Sequence, residues 1–200
     1  MLRVERQQIW PLATLLAVLI PFTVGFALRR NYEFLLYIGV IVFFLVVIAL
    51  TNDRVRYPLS ILWGLVVWAI MHLAGGGIRV GDGVLYGVIL LPLSNTLPIL
   101  RYDQVVHIIG FGVATLLMYH LIAPLLRTDI KRWTALSIVI VMAGLGVGAL
   151  NEIVEFIATV LVPETGVGGY QNTALDLVSD LIGAILATGH LRHHTFPRKP

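Results

Sequence analysis

Three stretches of the chain set ionisable side chains at helical spacing within apolar sequence. Asp103 and His107 stand four apart, Glu152 and Glu155 three apart, and Asn172, Asp176 and Asp180 follow at steps of four. On helices, each set shares one face. A carboxylate beside an imidazole can ligate a metal, with the acid orienting the ring. The same groups can also hold and pass protons. Acids on one face repel in a partly desolvated space unless one is protonated or a cation sits between them. Five of the eleven acidic residues belong to these sets, and Arg101 is the nearest positive residue in sequence.

The candidate metal ligands are therefore Asp103, His107, Glu152, Glu155, Asp176 and Asp180, with His72, Arg101, Asn151 and Asn172 as additional members. One histidine and several carboxylates suit zinc, manganese or iron, with an open position for water. The plainer reading is a polar network that ties helices together. Asn151 and Asn172 fit that reading best, Asn172 as the N-cap of its helix. The chain has no cysteine, so thiolate chemistry and disulfides are excluded. No Gly-x-Ser-x-Gly elbow is present.

The elements that must position these residues are membrane spans. Of the 200 residues, 58% are hydrophobic and 12% charged, and the mean hydropathy is +0.90. Soluble domains carry about 25% charged residues. A charge at the centre of a span costs roughly 2.5–3.5 kcal/mol, so three matched sets point to one site. The fold class is all-α, a one-domain polytopic bundle of six spans, with a seventh as the alternative. Each stretch approaches the roughly 20 residues needed to cross the hydrocarbon. The spans are 10–28, 34–50, 58–73, 102–126, 133–161 and 172–191. Residues 1–191 form the bundle and 192–200 a basic tail, with His190, His193 and His194 read as solvated.

Residues 74–83, with Gly75, Gly76 and Gly77, read as a flexible loop. Residues 84–93 are apolar but too short to cross, and read as interfacial or re-entrant. Trp10, Tyr57, Trp133 and Tyr170 read as interface anchors. Gly144, Gly148 and Glu152 share a face of the fifth span, where a neighbouring backbone can come close.

With six spans and the N-terminus inside, ten Lys and Arg residues fall on the inner side and four on the outer. That split places both termini in the cytoplasm. Up-down connectivity then brings all three polar sets into the outer half of the membrane. The basic pI reflects these links and suggests no nucleic-acid partner.

The motifs together resemble those of VanZ-like membrane proteins and, more closely, the YjdF-type family of bacterial inner-membrane proteins. The residues that carry this are His72-Leu73-Ala74-Gly75-Gly76, Tyr102-Asp103 with His107 and Gly110-Phe111, Asn151-Glu152 with Glu155, and Asp176 with Asp180 and Gly183. They cover residues 70–190. VanZ-like sequences often carry Gln at the position of Glu155 and Asn at that of Asp180, whereas this chain has acids. The resemblance implies a multi-pass protein of the bacterial inner membrane whose biochemistry is unknown. The residues support a metal-dependent enzyme on a lipid-linked or envelope substrate, a proton- or cation-coupled transporter, or an accessory protein with a structural polar network. The lipid bilayer is the one partner implied, and the oligomeric state is open.

Overall fold

A computed structural model describes residues 5–126 and 132–195. Residues 127–131 of the basic link expected at 127–132, Arg3 near the start and the tail residues 196–200 lie outside them. Among the described residues are six helices long and apolar enough to cross a membrane. They are α1 (Ile9–Leu28), α2 (Tyr32–Val55), α3 (Leu59–Gly77), α4 (Tyr102–Ile122), α5 (Trp133–Leu161) and α6 (Tyr170–Thr195). The all-α six-span fold is what the structure shows. The chain packs as two compact units. The first comprises residues up to Asp103 plus Val154–Val167, and the second Gln104–Ile153 plus residues from Gly168 onward.

In the first unit, Leu15, Leu19 and Phe26 of α1 meet Phe34, Tyr37 and Ile38 of α2, Val66 and Leu73 of α3, and Ala158 of α5. Gly75, Gly76 and Gly77 are not a loop but the last turn of α3. A Cβ at Gly76 would run into the Phe34 ring, at Gly75 into the Tyr86 ring and at Gly77 into the Phe22 ring. Rings seated on bare backbone offset the roughly 1 kcal/mol that each helical glycine costs.

Helix α2 also runs beyond its expected end at Leu50. Its last turns carry Asn52, which is buried and exchanges hydrogen bonds with Gln8. Gln8 Nε2 donates to the Tyr57 carbonyl as well, at 3.0 Å. Tyr57 is therefore not an interface anchor. It is 7% exposed, and its hydroxyl lies 2.8 Å from that of Thr51. Inside a bilayer such polar groups must find partners within the protein. Arg56 ends the helix in the left-handed region, with φ at 52°, its N–H donating to the Asn52 carbonyl.

A short antiparallel ribbon, β1 (Arg79–Val80) and β2 (Gly83–Val84), follows α3. Residues 85–93 do not cross. After a 3-10 turn at Leu85–Gly87, this chain pairs with the strand entering α4. Leu90 donates to the Leu100 carbonyl and Tyr102 to that of Val88, each at 2.9 Å. This removes the seven-span alternative.

The second unit holds α4 from Gln104, α5 up to Ile153, and α6. Their contacts are made at glycines. A Cβ at Gly183 would strike the Ile108 carbonyl, at Gly144 the Thr115 side chain and at Gly148 the Asp180 carboxylate. Helix α6 begins at Tyr170, before Asn172, so Asn172 is not its N-cap. The helix continues through Thr195, and the boundary expected after Leu191 falls inside it. Leu191 is buried, and Arg192, His193 and His194 sit at the end of the helix where positive charge is favoured.

Candidate functional site

Four of the six sequence-predicted ligands lie in the second unit and come together there. They are His107, Glu152, Asp176 and Asp180. Asp180 and His107 are 73 residues apart, yet His107 Nδ1 lies 2.9 Å from Asp180 Oδ1. An ionised Asp180 carboxylate would accept here, with Nδ1 of His107 carrying a ring proton. Asp176 and Asp180 are both 0% exposed and His107 is 5% exposed. An oxygen of Asp176 and an oxygen of Glu152 each come within 4.8 Å of a ring nitrogen of His107, in two separate groupings.

The supporting contacts follow from the helices. Asn172, one turn before Asp176, donates from Nδ2 to Asp176 Oδ2 at 2.5 Å. Glu152 interacts with Thr173 and Asn151 and feels the charges of His107 and Asp180. Gly148, one turn before Glu152 on α5, leaves the gap that the Asp180 carboxylate fills. Three carboxylates thus surround one imidazole where solvent is excluded. Ionised carboxylates are not buried without a proton, a cation or donors to balance them.

The other two predicted ligands, Asp103 and Glu155, belong to the first unit. Each lies about one helical turn from His107 or Glu152 in sequence. Both act electrostatically on Tyr86, a residue the sequence reading did not single out. Burial, then the charges of Asp103 and Glu155, push the Tyr86 phenol well above its ordinary range. The phenol therefore keeps its proton, and its oxygen shares a hydrogen bond of 2.5 Å with His72 Nδ1. The His72 ring stacks on Trp68, centroids 5.4 Å apart, with Phe34, Tyr37 and Tyr86 around it. Arg101 pairs with Ile89 through backbone and is half-buried.

A further buried acid of the first unit also escaped the sequence reading. Glu33, in the first turn of α2, accepts from the Gly166 N–H at 2.7 Å and from the Tyr37 hydroxyl at 3.3 Å. Its signal was a Tyr four residues on, after the capping Asn31.

The chain belongs to the family described as predicted membrane protein (DUF2238), whose model matches residues 9–195. No curated protein and no solved structure matches it.

Proposed function

We propose that this DUF2238-family membrane protein holds a divalent metal ion in the second unit, with His107, Glu152 and Asp176 as ligands. Asp180 orients the imidazole from behind. The observation that carries this reading is the pair of fully buried aspartates beside Glu152 and a single histidine. The His107–Asp180 hydrogen bond fixes the tautomer that presents Nε2, as carboxylates behind metal-bound histidines do. One nitrogen and several carboxylate oxygens suit zinc, manganese or iron(II). When bound, such an ion would polarise a substrate oxygen or lower the pKa of a bound water.

The protein is read as residing in the bacterial inner membrane with both termini cytoplasmic, its site in the outer half. There a lipid-linked or envelope substrate would reach it. The closer likeness to YjdF-type and VanZ-like proteins rests on the motif residues alone. A proton-coupled carrier is the competing reading, favoured by the Asn172–Asp176–Asp180 ladder along one face of α6.

Elemental analysis of the purified protein separates the two. Metal binding predicts one equivalent of metal that His107→Ala and Asp176→Ala each remove, and a melting temperature that metal at this site raises only in the wild type. A stability that follows pH and ignores chelators and added metal overturns the metal reading in favour of protons.

A further inference from the structure

We propose a second metal site, unrelated to the first: a two-imidazole clamp formed by His190 and His194 on the last turns of α6. The two residues are four apart, and their ring centroids lie 4.4 Å from each other with planes inclined by 41°. Both are exposed. Ala187, Thr188 and Leu191, on the adjoining face, are buried. They hold this end of the helix in place, so the rings share one face of a formed helix. Histidines at this spacing on one helix face are a recurrent way to hold a transition ion.

The donor set names the ligand class. Two neutral nitrogens select zinc, nickel or copper(II), and copper(II) most strongly. Magnesium and calcium prefer oxygen and are disfavoured. Arg192 has no lone pair to offer and adds positive charge, so the remaining positions go to water or a small anion. His190 lies ten residues past Asp180, about 15 Å along the helix. The clamp therefore shares no ligand with the proposed first site.

The test is zinc equilibrium dialysis of the full-length protein in detergent, with bound metal counted by elemental analysis. His190→Ala and His194→Ala should each weaken one class of bound zinc at least about tenfold, since even groups behind a ligand are worth 10–100-fold in affinity. His193→Ala, outside the four-residue pair, should leave it intact. Copper(II) spin resonance should show two nitrogens in the wild type and one in either single variant. His107→Ala should retain the clamp's zinc, so failure of either site reads separately. Equal loss in His193→Ala, or unchanged binding in His190→Ala, overturns the clamp. All three positions are exposed, and a wild-type melting temperature confirms that each variant has folded.

Discussion

At the scale of single residues, the sequence shows which groups are unusual but not which of them pair. Asp180 was a candidate ligand by spacing along α6, whereas the structure gives it to His107 Nδ1. An acid that orients the ring is more replaceable than one that binds the ion. Asp180→Asn keeps an acceptor oxygen, so it should weaken metal about 10–100-fold without abolishing it. Asp176→Ala should abolish it, and metal titrations of the two variants check the order. Tyr86, outside the spans, gives a pH prediction. Its phenol is raised by burial, then by Asp103 and Glu155. A raised group contributes stability fully below its unfolded value of about 10, and that contribution is lost as pH rises beyond it. Tyr86→Phe should flatten this alkaline loss, read as melting temperature between neutral pH and pH 11. Nothing in the sequence marked Tyr86, and Tyr37, four residues on, was the one local signal for Glu33. Their partners His72 and Gly166 are fourteen and 133 residues away.

At the scale of elements, glycine decides how close the helices come. The Gly144-x-x-x-Gly148 spacing was legible because both residues lie on one helix. The approach of Gly183 to Ile108 was not, because it joins two helices. Gly75–Gly77 were misread for a related reason: a glycine run signals a loop unless rings cover it, and the rings come from elsewhere in the chain. These contacts predict a graded series. Gly148→Leu should strike the Asp180 carboxylate and Gly183→Ala the Ile108 carbonyl, each costing at least about 1–3 kcal/mol, as overpacking does. Gly146, on the same helix as Gly148, faces open space. Gly146→Ala should be neutral or stabilising by up to about 1 kcal/mol. Thermal unfolding in detergent ranks the three, and an equal response at 146 and 148 contradicts this packing.

At the scale of the whole molecule, hydropathy alone gave the six spans, since crossing a bilayer demands long apolar helices. Residues 84–93 remained ambiguous because their hydrogen bonds go to residues 100–102, a pairing that hydropathy does not encode. The proposed arrangement, with both termini cytoplasmic, rests on six crossings and on the split of lysines and arginines. Reporter fusions after Arg132 and Pro200 should both report cytoplasm. A fusion in the ribbon at Asp82 should report the opposite face. An external signal from either of the first two contradicts the arrangement.

The contact between Glu33 and Gly166 bears on how such a protein changes over evolution. Glu33 accepts a main-chain amide, and a Cβ at position 166 would meet its carboxylate only at ordinary contact distance, 3.7 Å. Every residue except proline supplies that amide. Position 166 can therefore drift while Glu33 stays under selection. The tether is written at one end only, so correlated substitutions between related chains would carry no trace of it.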